Sequence, residues 1–325
     1  MNLRTNRRTF LEKTVCRTVV LTGLAMRSNM NCDGVKSENS RLGSMKIVVD
    51  SHQHFWDPAA LRLPPFSPSS AVLARPYMPA ELEELITMLG INGTVLVQGY
   101  PQTPETNRWY FSQANAAPFV RGVVAWIDLE DPARAGAALD DLRKEPKFVG
   151  IRHVVEGEPD VGWIVREPVM ESLGELTRQH VAFDMVVKPQ HLENVLKVLD
   201  KVPHLPMVID HIAKPNIAKG GSPGWAEHMA AIAKYPQVYC KLSGMVTEAD
   251  WGRQKPTDLR LYVAHVVDVF GWDRVMYGSD WPVCLLASSY QGVWQALHEA
   301  LGKISDEQHN KVFGANAIRF YRLRV

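Results

Sequence analysis

Two histidines separated by one residue, His52 and His54, follow the apolar run Ile47-Val48-Val49. A strand ending there would aim both imidazoles to the same side, because residues i and i+2 share a face. Such a pair suits a metal ion or a polarised carbonyl oxygen. Asp210-His211 follows the apolar run Met207–Ile209, and Ser279-Asp280 follows Val275–Tyr277. A third imidazole and a carboxylate therefore also stand where short apolar runs stop. A carboxylate near imidazoles is a donor set for general acid–base work on water. Each residue alone also has a plain structural use. Asp280 could cap the segment after Trp281-Pro282, and His211 could be a core histidine held by Asp210.

The elements that must position these groups are legible from the β-branched apolar runs. Eight recur: Ile47 to Val49, Thr94 to Val97, Gly122 to Ile127, Phe148 to Ile151, Ala182 to Val187, Met207 to Ile209, Val238 to Leu242 and Val275 to Tyr277. Between them lie segments with helical spacing, such as Leu82, Leu85, Ile86 and Leu89, or Leu192, Val195, Leu196 and Leu199. Alternating strands and helices with near-continuous apolar strands predict an α/β protein with a parallel sheet buried on both faces. Eight units in roughly 250 to 280 residues predict a single (β/α)8 TIM barrel. A doubly wound sheet is the runner-up, but no Gly-x-Gly-x-x-Gly follows the first strand. In a barrel the chemistry sits at the C-terminal strand ends. Here those ends carry His52 and His54, Gln98, Asp128, Arg152 and His153, Lys188, Asp210 and His211, Lys241 and Ser243, and finally Ser279 and Asp280.

Composition bounds the partners. The 325 residues are 46% hydrophobic and 22% charged, and the formal net charge of +1 offers no field for nucleic acid or an anionic membrane surface. A small polar substrate is expected. The four cysteines, Cys16, Cys32, Cys240 and Cys284, form no Cys-x-x-Cys pair and indicate neither a zinc knuckle nor a disulfide framework. No uncharged apolar stretch reaches the roughly 18 residues of a permanent membrane span. Residues 1–44 read as a leader: Asn6-Arg7-Arg8-Thr9-Phe10-Leu11-Glu12-Lys13 has a twin-arginine layout, followed by the mostly apolar Val15 to Met26. Periplasmic export is the expectation. A start at Met45, with a cytoplasmic location, is the alternative. Residues 45–325 form the expected catalytic domain, and its oligomeric state is not legible.

Val49-Asp50-Ser51-His52-Gln53-His54-Phe55-Trp56, Gly150-Ile151-Arg152-His153, Ile209-Asp210-His211-Ile212-Ala213-Lys214-Pro215, Cys240-Lys241-Leu242-Ser243-Gly244 and Met276-Tyr277-Gly278-Ser279-Asp280-Trp281-Pro282 occur in that order. Together they resemble the amidohydrolase-related (amidohydrolase 2) branch of the amidohydrolase superfamily. The nearest likeness is to sugar-lactone hydrolases of the L-fuconolactonase and L-rhamnonolactonase type. The resemblance runs from about Met45 to the end. It implies a (β/α)8 hydrolase with the His-x-His pair, His211 and Asp280 in the catalytic positions. It also implies a question about metal, since metal-binding members usually add a histidine after the fifth strand or a lysine or glutamate after the fourth. Here the fifth strand continues Asp184-Met185-Val186-Val187-Lys188-Pro189, with no histidine.

The expected reaction is opening of a sugar-acid lactone by water, with Asp280 as general base and then acid and His211 as its catalytic partner. His52, His54 and His211 would polarise the carbonyl. Alternatively His52, His54 and Asp280 would hold one divalent cation, zinc or similar, and a metal-free mechanism stays open beside it. Arg152, His153, Trp56, Lys214 and Trp281 are the candidate substrate-binding residues, the first for bidentate bonding and the tryptophans as apolar walls. Two alternatives stand: a metal-dependent decarboxylase or hydrolase of a ring-cleavage product, and a sugar-binding barrel without catalysis.

Overall fold

The computed structural model describes residues 47–250 and 256–325, and the leader-like segment with its expected export signal lies outside them. The eight strands are β1 (Val49–Gln53), β2 (Gly93–Val97), β3 (Val120–Ala125), β4 (Phe148–Val154), β5 (Ala182–Val186), β6 (Met207–Ile209), β7 (Val238–Leu242) and β8 (Val275–Tyr277). They lie parallel and in sequence order in one sheet. A parallel bridge between Gln53 and Trp281 brings the two edges together. The fold is a (β/α)8 barrel.

Side-chain alternation explains how the barrel fills. On one face of the strands Val49, Val95, Val97, Val124, Ala182, Val208 and Met276 form an inner apolar cluster, joined by Tyr321 and Leu323 of the C-terminal segment. On the other face Leu96, Val123, Ile151, Phe183, Met185, Cys240, Leu242 and Tyr277 pack under the helices. The helix Leu192–Lys201 shows the match: Leu192, Val195, Val198 and Leu199 form its buried stripe. Each such side chain contributes about 1.5–3 kcal/mol on burial. Asp131 and Ser289 start their helices by accepting the N–H of Arg134 and Gly292.

Toward the C-terminal ends the inward positions turn from apolar to polar and charged. His52, Arg152, Asp184 and Lys241 are all buried there. A shift of register in β1 between Asp50 and Gln53 accounts for Val49 and His52 facing the same interior despite their odd separation. Several boundaries differ from the sequence expectation, β3 beginning and ending two residues earlier, and two of the differences bear on the site. β1 continues through Gln53, so His52 is a strand residue, and β4 continues through Val154, so Arg152 and His153 belong to the strand rather than to its loop. Among the described residues no helix is long and apolar enough to cross a membrane.

Candidate active site

Closure of the barrel places the site's first three groups. The N–H of His54 donates to the carbonyl of Trp281 at 2.7 Å, and the N–H of Asp280 donates to the carbonyl of His52 at 2.8 Å. Asp50 reinforces the seam by accepting the N–H of Ser279 at 2.9 Å and the hydroxyl of Tyr290 at 3.0 Å. Gly278 lets β8 come this near, since a Cβ there would stand 2.7 Å from the His52 Cβ. The outcome is that Asp280 Oδ1 lies 3.4 Å from His54 Nε2 and 3.8 Å from His52 Nε2.

His211 reaches the same carboxylate from β6, its Nε2 lying 3.9 Å from Asp280 Oδ1. The chain adopts the left-handed conformation over four consecutive non-glycine residues to do so, with φ of 54°, 49°, 61° and 47° from His211 to Lys214. Asp280 shares that conformation, at φ 57°. Left-handed backbone costs an ordinary residue about 1–2 kcal/mol, more for a β-branched one such as Ile212, and persists only where surroundings hold it. Burial of Ile212 and donation of the Trp225 indole N–H to its carbonyl at 2.8 Å supply that hold. The His211 ring is steered by Ser243, whose Oγ lies 2.9 Å from Nδ1.

The electrostatics divide the labour. Burial pushes His52 and His211 well below the ordinary imidazole range, and burial lowers His54 too despite Asp280, so the three rings are neutral at physiological pH. Burial alone would raise Asp280, but the neighbouring His211 and Lys214 outweigh it and hold the carboxyl below its usual range. His54 Nδ1–H donates to the carbonyl of Val97 at 2.6 Å, which leaves its Nε2 lone pair facing Asp280 and His52. The arrangement is an ionised carboxylate ringed by three neutral imidazoles.

Residues 49–323 match the model of the amidohydrolase family Amidohydro_2. The chain belongs to that family. It is 39% identical over 287 residues to an L-fucono-1,5-lactonase of Burkholderia ambifaria, covering 86% of this chain and 97% of that one. It is 32% identical to an L-fucono-1,5-lactonase of Burkholderia multivorans over 87% and 97% of the two chains. A solved amidohydrolase from Burkholderia multivorans with bound zinc superposes with a TM-score of 0.77 at 30% identity, covering 86% of this chain and all of that one.

This amidohydrolase also carries a metal-competent donor set. His52, His54 and Asp280 offer ligand atoms within 4.8 Å of one another. A tetrahedral ion with bonds of about 2.0–2.2 Å sets its ligands about 3.3–3.6 Å apart. The separations, 3.2 Å between the two Nε2 atoms and 3.4 Å (from His54) and 3.8 Å (from His52) to Asp280 Oδ1, lie within about 0.2 Å of that spacing. Ring nitrogen and carboxylate oxygen are the donors that zinc and similar ions take. Two neighbours pull the remaining nitrogen of His52 in opposite senses. Asp210 Oδ1, 3.4 Å from Nδ1, favours the tautomer that frees Nε2 for a metal, whereas the Lys241 ammonium, 3.0 Å from Nδ1, favours the one that protonates Nε2.

Beneath the imidazoles lies a charged layer in which the strand-end residues Lys241 and Asp210 meet Asp184, a residue from the middle of β5. Lys241 Nζ contacts Asp184 Oδ2 at 2.6 Å and Asp210 Oδ1 at 3.0 Å, all three fully buried, and the Tyr321 hydroxyl donates to Asp184 at 2.6 Å. The signal was present: Asp184 and Lys241 each interrupt an apolar strand, where an ionised side chain must have an ionised partner.

The mouth is a cavity of about 470 Å³ whose wall includes His54, Trp56, Arg152, His211, Lys214 and Asp280. Six expected site residues are thus brought together, with His52 directly behind them. Two expected substrate-binding residues are placed elsewhere. His153 points to the opposite face of β4 from Arg152, as alternation requires; its ring stacks on Trp163 at 3.9 Å and its Nε2 meets Glu158 at 2.7 Å. Trp281 is wholly buried, edge-on to Phe55 and Tyr77, and serves as packing. Glu156, in a short 3-10 turn after β4, and Tyr100, in the segment after β2, also line the cavity, and no repeating pattern in the sequence marks either.

Proposed function

We propose that this amidohydrolase hydrolyses the ring ester of a sugar-acid lactone of the L-fucono-1,5-lactone type. The observation that carries the reading is an ionised Asp280 held 3.4–3.9 Å from three neutral imidazoles at the floor of a cavity large enough for one sugar ring. Its similarity to two L-fucono-1,5-lactonases along nearly their whole length supports the substrate class.

In this reading Asp280 accepts a proton from the attacking water as the new C–O bond forms at the lactone carbonyl. The protonated Asp280 then donates to the ring oxygen as that C–O bond breaks, releasing an open-chain carboxylate. Negative charge gathers on the carbonyl oxygen between these steps. Arg152 is a cation at the cavity wall that can meet this charge, with Nη1 3.2 Å from His52 Nε2 and no hydrogen-bond partner for Nε among the described residues. Ser243 can donate to Nδ1 of His211, which leaves Nε2–H of that ring to donate to the same oxyanion. A divalent cation held by His52, His54 and Asp280 would polarise the carbonyl and acidify a bound water.

A pH-indicator assay with L-fucono-1,5-lactone tests the reading. Asp280→Asn should lower kcat by about 10²–10⁴ with an unchanged circular dichroism spectrum. Near wild-type turnover in that variant would sink the assignment, and the same assay with a chelator shows whether a cation takes part.

A further inference from the structure

The cavity has two chemically different walls, and the order of strands says where each lies. In a barrel numbered in sequence order, the segments after β1 and β8 stand across the mouth from those after β4 to β6. The β1 side presents Trp56, Leu63, Phe66 and Leu73, with Phe66 stacked on Trp56, and the two serines of this wall, Ser67 and Ser70, bond to each other at 2.8 Å rather than standing open. The opposite side presents Glu156 and Lys214. Lys214 Nζ is bonded to Glu156 Oε1, and Lys188 Nζ lies 3.4 Å from Glu156 Oε2. Gly157 brings a third polar group to this side: a Cβ there would meet the Tyr100 hydroxyl at 2.7 Å, so only glycine admits that ring so near the Glu156 turn.

Resting on the lactone reading, we propose that Glu156 and Lys214 form a hydroxyl-reading subsite, and that the substrate class is a lactone with hydroxyls along one side and bare C–H or methyl on the other. A hydroxyl both donates and accepts. A carboxylate joined to an ammonium offers an acceptor and a donor side by side, with two of the three ammonium hydrogens left over. Neighbouring hydroxyls on a ring can bridge that pair. The apolar wall across the mouth meets only the ring's C–H surface, where a hydroxyl would lose its water without gaining a partner. Lys188 and Lys214 keep Glu156 in place and ionised before any ligand arrives, so the subsite needs no rearrangement.

The test is a ratio of affinities in the Asp280→Asn protein, in which turnover is slowed about 10²–10⁴-fold. Calorimetric titration with L-fucono-1,5-lactone and with δ-valerolactone compares two six-membered ring esters that differ in their hydroxyls. Adding Glu156→Gln should cut the preference for the hydroxylated lactone about 10- to 100-fold, the worth of a charge-assisted hydrogen bond; Lys214→Gln is expected to do the same if Glu156→Gln fails to fold. Phe66→Asn should weaken both ligands alike and leave the ratio standing. The inference is overturned by a ratio within twofold of the parent in Glu156→Gln and Lys214→Gln, by equal weakening of both ligands in them, or by binding of neither lactone. Binding with the expected ratio in a chain that never hydrolyses lactones would instead refute the proposed activity alone.

Discussion

Replacing Gly244 by alanine should disable the site without substituting any group that meets substrate. Gly244 holds φ 61°, and a Cβ added there would stand 2.5 Å from Nδ1, 2.6 Å from Cγ and 2.8 Å from Cβ of His211. Left-handed alanine costs about 1–2 kcal/mol by itself. Ordinary contact begins near 3.4 Å, so His211 must retreat by about 0.9 Å, and the short approach to its Cβ means that rotating the ring is not enough. That retreat breaks the 2.9 Å contact with Ser243 and carries Nε2 away from Asp280. A misplacement of about 1 Å costs on the order of 100-fold in rate. Gly90 is the matched control: its φ is 68°, and nothing lies within 4 Å of an added Cβ. Gly90→Ala should lower Tm by about 2–8 °C and leave kcat/KM within twofold. Gly244→Ala should lower Tm further and cut kcat/KM for L-fucono-1,5-lactone about 100-fold, both read by calorimetry and the pH-indicator assay. Gly244→Ala retaining kcat/KM within threefold of Gly90→Ala would refute the dependence of the chemistry on the placement of His211.

Two further outcomes follow from the buried charges. Lys241→Met strands Asp184 and Asp210 without their cation and should destabilise the fold by about 3–5 kcal/mol, whereas Lys144→Ala, which breaks an exposed pair with Asp141, should leave Tm unchanged. Equal Tm values for the two variants in calorimetry would contradict the proposed weight of the buried network. The second outcome concerns pH. The imidazoles titrate below their ordinary 6.5 in the fold, so their contribution to stability is complete above pH 6.5 and is lost as pH falls toward their folded values. Asp50, raised to about 6 by burial, has the opposite sign: its contribution is lost as pH rises from about 4 to about 6. Neither window extends above about pH 7.5, and Asp280 is ionised throughout. Both Tm and kcat/KM should therefore be level from about pH 7.5 to about 8.5, and an imidazole-like midpoint within that range in either profile would refute the assignment of neutral rings.

The barrel was readable in the chain because its cause is local and periodic. Eight short β-branched runs separated by helical spacing admit few other arrangements, and burial of both faces of a parallel sheet writes itself into each run as continuous apolar residues. His52, His54, His211 and Asp280 were readable for the same reason, as polar residues at the ends of those runs. Which of two adjacent residues faces the cavity was decided only by the tertiary structure. β4 and β1 run further than their apolar cores, and the alternation that sends Arg152 inward sends His153 outward to Trp163. The partnership of Lys241 with Asp184 and Asp210, the facing of Glu156 and Lys214 toward Phe66 across the mouth, and the convergence of three imidazoles on one carboxylate oxygen join residues far apart along the chain. Such contacts leave no periodic trace, because they depend on where a closed sheet brings its edges and on a left-handed turn that composition does not announce.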